Sequence, residues 1–93
     1  MIAAGEIFDI VVRRFQDTRT FKMQVECIAV SQQLLRFRIT GGQREMIMEK
    51  QLEKMKHPWK IVKTNFKIQG DDETVALAIM HIQDAIDQHL DQQ

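Results

Sequence analysis

The chain has 93 residues, of which 44% are hydrophobic and 28% charged, and thirteen Lys or Arg balance thirteen Asp or Glu. This composition is typical of one small folded domain, residues 1–93, and argues against a disordered chain. The single cysteine excludes an internal disulfide. Because the chain lacks both the ~18–20 apolar residues of a membrane span and a secretory signal, we expect a cytoplasmic protein with no membrane partner.

The charges are sorted along the chain. Residues 1–33 carry four of each sign, residues 34–70 carry nine Lys or Arg and three acids, and residues 71–93 carry six acids and no Lys or Arg. Screening limits the field of a charge to ~8–10 Å in ordinary salt. The net charge of zero therefore conceals a basic centre and an acidic C-terminal segment.

Residues 6–15 fit either a helix or a strand. Ile7 and Ile10 have helical spacing, whereas Phe8, Ile10 and Val12 alternate as in a strand. The richness in Ile, Val and Phe favours the strand.

The next segment alternates apolar and polar residues, which predicts a half-buried strand. Its apolar side is formed by Phe21, Met23, Val25, Cys27 and Ala29.

Gly41-Gly42 predicts a two-residue hairpin turn, because glycine adopts positive φ without steric cost. Pairing of Thr40 with Gln43 places Arg38 opposite Glu45, an opposite-charge pair that supports the hairpin. The same register collects four apolar residues on one face, namely Leu35, Phe37, Met46 and Met48.

A helix is the alternative for residues 43–56, since Met48, Leu52 and Met55 also have helical spacing and this stretch is rich in good helix formers. We favour the hairpin because its turn chemistry and its side-chain pairing agree.

After Pro58, residues 59–68 are rich in β-branched and aromatic types and predict a last strand. In it Val62, Phe66 and Ile68 share one face with Thr64, and the other face is formed by Lys63, Asn65 and Lys67.

The C-terminal segment predicts an amphipathic helix capped by Asp71 or Asp72. Its apolar stripe consists of Val75, Ala78, Ile79, Ile82, Ala85, Ile86 and Leu90. The fold class that follows is α+β, an antiparallel β-meander of four or five strands with the helix packed on one face.

The opposite face of the sheet should be polar and basic, and it suggests a first binding hypothesis. Single-stranded nucleic acid binds where cations track phosphates and aromatic rings stack on bases. Residues that would contact such a strand, or an acidic protein, are Arg36, Arg38, Trp59, Lys60, Lys63 and Lys67. Solvation of the sheet and protection against edge aggregation explain the lysines more simply.

Self-association is the second hypothesis, and the one we favour. Leu77 and Met80 interrupt the polar face of the C-terminal helix and predict contacts in a homodimer. Charge complementarity between one subunit's acidic helix and the other's basic strands would orient such a dimer and weaken with salt.

No constellation of residues predicts an enzyme, a cofactor or a metal site. His81, Asp84, Gln88 and Asp91 line one helical face, but no second cluster of ligands completes a metal site. Cys27 is predicted to be a buried apolar residue rather than a nucleophile. The sequence therefore favours a non-catalytic protein-interaction module.

Overall fold

The computed structural model describes residues 2–13, 20–53, 58–66 and 71–92. Within these residues a five-stranded antiparallel sheet is followed by one helix, as the α+β prediction required. The strands follow one another in the sheet in chain order. They are β1 (Ile7–Arg13), β2 (Thr20–Val30), β3 (Leu34–Gly41), β4 (Arg44–Gln51) and β5 (Trp59–Thr64), and the helix is α1 (Asp72–Asp91).

Both ambiguous segments form strands where the structure describes them. Residues 6–15 contain β1, and residues 43–56 contain β4, so the helical alternative for the latter is wrong. Alternate residues of β4 share one face of the sheet, and this places Met46 and Met48 in the core beside Phe37 and Ile39 of β3. The strand is therefore favoured over the helix.

The β3–β4 hairpin forms, but its predicted register is wrong by two residues. Gly41 pairs with Arg44, so the turn residues are Gly42 and Gln43 rather than the two glycines. Of these two glycines only Gly42 has a positive φ, +60°, which is the requirement of a turn with glycine at its first central position. A shift of two residues keeps every side chain on its predicted face, and Phe37 now lies opposite Met48.

Two bulges change the predicted faces elsewhere. In β2 the pairing skips Ile28, so Ala29 pairs with Arg36 and leaves the face occupied by Cys27. In β5 it skips Val62, which is exposed rather than facing the core as predicted. Trp59 and Ile61 pack against the core instead.

The hydrophobic core lies between the sheet and α1. Ile82 and Ile86 are the buried residues of the helix, and Ile79, Ala85 and Leu90 pack beside them, which confirms these five members of the predicted stripe. Among its contacts with strands, α1 lies chiefly against β1.

The helix begins with a side-chain cap. Asp71 has extended backbone angles, and its Oδ1 accepts a hydrogen bond of 2.8 Å from the Thr74 N–H. Hydrogen bonds from the backbone and side chain of Thr74 lower the pKa of the Asp71 carboxyl, because they favour its charged form. Asp72 and Glu73 add negative charge in the first turn, where the helix dipole is positive.

Candidate interaction surfaces

The sheet face turned away from α1, called here the open face, carries most of the predicted binding residues. Arg36 and Arg38 reach it from β3, because Phe37 between them points into the core. Lys60 and Lys63 both reach it from β5 because the bulge at Val62 adds one residue between them. Lys67 lies outside the described residues.

Arg36 is held by a carboxylate directly opposite it. Its Nε and Nη2 donate to Oε2 of Glu49 at 2.8 and 2.5 Å. Glu49 is only 9% exposed, and Lys60 is its register partner on the other side. The charge-assisted hydrogen bonds compensate the cost of burying this carboxylate.

A chain of ion pairs crosses the same face at Arg38. Its guanidinium lies 3.4 Å from Glu26 of β2 and 3.7 Å from Glu45 of β4. Glu45 lies in turn 3.9 Å from Nζ of Lys63. The predicted contact between Arg38 and Glu45 therefore exists, although Arg38 pairs in register with Ile47.

The open face is accordingly not a free cationic surface. Its described side chains include five cations, Lys22, Arg36, Arg38, Lys60 and Lys63, and four carboxylates, Asp9, Glu26, Glu45 and Glu49. In the described part of the chain, Lys60 is the one cation among these without an ion pair. Glu45 was expected beside Arg38, but the pairing of Glu49 with Arg36 and of Glu26 with Arg38 was missed because it depends on a strand register that the sequence had not fixed.

Trp59 does not join the basic residues. It lies on the core side of the sheet, its ring 5.9 Å from that of Phe37 and 5.7 Å from Nζ of Lys50. Lys50 also forms an ion pair with Asp87 of α1. The structure thus places Trp59 and the arginines on opposite faces of the sheet.

Cys27 lies in the core, and His89 lies beside the core. Cys27 is fully buried, and burial raises the pKa of its thiol, which disfavours the nucleophilic thiolate. His89 stacks on Phe8 at 3.7 Å, with Nε2 3.4 Å from Glu6. Among the described residues no three His, Cys, Asp or Glu side chains gather as metal ligands would.

The two edges of the sheet differ, and this difference is the feature that sequence reasoning missed. At the β5 edge, Pro58, two lysines and the Val62 bulge are present, all of which discourage strand pairing. At the β1 edge, Ile7 is 53% exposed and Val11 61% exposed on the open face, with Asp9 between them. No proline or bulge interrupts β1.

The β1 edge also presents unpaired main-chain groups. The Cys27 N–H donates to the Glu6 carbonyl at 2.9 Å, so this carbonyl points toward β2, and the even-numbered residues Phe8, Ile10 and Val12 form the hydrogen-bonded pairs with β2. Such pairs alternate along an antiparallel ladder. The N–H and C=O groups of Ile7, Asp9 and Val11 therefore point away from β2, where the described residues supply no strand.

The apolar pair on α1 is exposed as predicted. Met80 is 51% and Leu77 37% exposed. The flanking positions Glu73 and Asp84 are acidic, and the helix contains no Lys or Arg. A second copy of the same helix would be repelled there.

Comparisons with known proteins identified no relative of this chain. A scan of family models, a search of curated proteins and a search of solved structures each found no significant match to this chain. Across the residues described, no helix is long and apolar enough to span a membrane.

Proposed function

We propose that this chain is a non-catalytic protein-interaction module that acts as a homodimer. The observation that carries the proposal is the β1 edge, which combines outward main-chain groups with the exposed side chains of Ile7 and Val11. An edge strand of this kind is a template for pairing with another strand. Its seven residues are long enough for a stable ladder.

Small size supports the same proposal. A chain of 93 residues buries a smaller fraction of its surface than a larger domain does, so association adds stability that the monomer lacks. The proposal includes a cytoplasmic location, which is consistent with a lone thiol buried in the core.

Sedimentation velocity over a dilution series tests the homodimer. We expect a sedimentation coefficient that falls toward the monomer value on dilution, with the midpoint giving the dissociation constant. A monomer at the highest concentration, in low as well as in high salt, would contradict the proposal.

Nucleic-acid binding stays a prediction that no observation here favours. Ion pairs already occupy Arg36, Arg38 and Lys63, so a phosphate would have to displace a carboxylate at each. The predicted stacking residue, Trp59, lies on the other face. An acidic protein partner on the open face meets the same competition.

A further inference from the structure

We infer that the homodimer forms by antiparallel pairing of β1 with β1 of a second copy, which creates one continuous ten-stranded sheet. This inference rests on the proposed homodimer and names the surface and register of its contact. The outward groups at Ile7, Asp9 and Val11 call for a partner that is itself an extended strand. A second β1 is such a strand, present at equal concentration.

The hydrogen-bonding pattern limits the register. Outward groups belong to the odd-numbered residues of β1, so odd residues must meet odd residues of the partner strand. The two-fold axis then runs perpendicular to the sheet, midway between the two copies of one β1 residue that pairs with itself. Both copies of α1 consequently lie on the same side of the continuous sheet.

Full pairing selects one of these registers. With the axis at Ile10, Ile7 meets Arg13 of the second copy, Asp9 meets Val11, and all seven residues of β1 are paired. This arrangement forms about eight inter-strand hydrogen bonds, two for each odd-numbered pair.

The neighbouring registers are less favourable. A shift that brings the axis to Asp9 sets the two Asp9 carboxylates opposite each other and shortens the ladder. A shift to Val11 pairs only residues 9–13. The axis at Ile10 avoids both costs.

The contrast with β5 explains why β1 is the contact. Lys60, Lys63, Pro58 and a bulge make β5 a poor partner for a flat ladder. The exposed Leu77 and Met80 lie on a helix whose charges repel a copy of itself. Of these three surfaces, only the β1 edge is self-complementary.

Proline at position 11 tests the inference at the level of the main chain. The Val11 N–H points outward, so Val11→Pro removes a donor needed by the second copy and leaves the β1–β2 ladder intact. We expect the dissociation constant to rise at least about tenfold, because each dimer loses two hydrogen bonds. Sedimentation velocity measures the change, and circular dichroism verifies the fold.

Two matched variants serve as controls. Val11→Thr keeps the N–H and the β-branched shape, and we expect it to change the dissociation constant less than about threefold. Met80→Gln removes the exposed apolar side chain of α1, and we expect the dimer to persist. Dissociation of the Met80→Gln dimer, with Val11→Pro still dimeric, would overturn the inference in favour of the helix face.

Amide hydrogen exchange provides a test that needs no variant. In a concentrated sample we expect slow exchange at the Ile7, Asp9 and Val11 amides, and faster exchange on dilution to the monomer. A dimer in which these amides exchange rapidly would overturn the β1 contact and leave the proposed function standing. A chain that is monomeric at every concentration would overturn both.

Discussion

At the scale of single residues, Glu49 is the most constrained charge on the open face. Its side chain is 11% exposed, and both bonds from Arg36 end on its Oε2. Glu45 makes longer contacts, at 3.7 and 3.9 Å, and its side chain is 39% exposed. Solvent screens the second carboxylate far more than the first.

Neutralising Glu49 should therefore destabilise the protein more than neutralising Glu45. We expect Glu49→Gln to lower the free energy of unfolding by about 1–2 kcal/mol, because it removes charge-assisted hydrogen bonds in a nearly buried position. For Glu45→Gln we expect the free energy of unfolding to fall by less than about 1 kcal/mol. Urea denaturation followed by Trp59 fluorescence measures both, and equal effects would contradict the ranking.

At the scale of elements, the sequence predicts strands and helix better than it predicts register. Alternation places Phe37 and Met48 in the core, and the glycines place a turn between β3 and β4. Nothing in the sequence says which glycine belongs to the turn. Because a shift of two residues preserves the faces, the core could be predicted although the pairing was wrong.

Bulges explain what else was missed at this scale. Ile28 and Val62 are β-branched residues of a type common in regular strands, and no local signal marks either as the extra residue of a bulge. The bulge at Val62 decides that Lys60 and Lys63 share the open face. The cations of that face and the contact of Arg38 with Glu45 could be predicted, but the pairing of Arg36 with Glu49 depended on the register.

The cap of α1 gives the helix a pH dependence. Hydrogen bonds from Thr74 lower the pKa of Asp71 in the folded state, so its contribution to stability is complete above the unfolded value of ~3.9 and is lost as pH falls through the folded value. We expect Asp71→Asn, which keeps a capping oxygen without a titrating group, to reduce this acid sensitivity. Circular dichroism of helix content between neutral and acidic pH measures it, and identical acid profiles for the two proteins would contradict the role of Asp71.

At the scale of the whole molecule, the sorted charges of the chain do not make the open face purely cationic in the part that the structure describes. Among the described cations of the basic centre, Arg36, Arg38 and Lys63 pair with acids of β2 and β4, whereas α1 contains no Lys or Arg of its own. Lys50 provides an ion pair to Asp87 from the sheet. The open face therefore carries nearly equal numbers of described positive and negative side chains, and the acidic helix lies on the other side of the sheet.

Salt distinguishes the two modes of dimerisation. A dimer that docks the acidic helix on basic strands weakens with salt, whereas β1 pairing places two acidic helices on one side of the sheet, where salt screens their repulsion. We expect the dissociation constant to stay constant or fall between ~50 and ~500 mM NaCl. Sedimentation velocity measures it, and a marked rise would favour the helix-to-strand mode.

The contact between α1 and β1 joins the first strand to the last element. Glu6 and His89, which approach to 3.4 Å, are 83 positions apart in the chain, whereas the β3–β4 hairpin closes over two residues. Each doubling of loop length adds about 0.6 kcal/mol of closure entropy, so about five doublings make the helix contact costlier to form by roughly 3 kcal/mol. We therefore expect the hairpins to assemble first during folding and α1 to dock on the sheet afterwards.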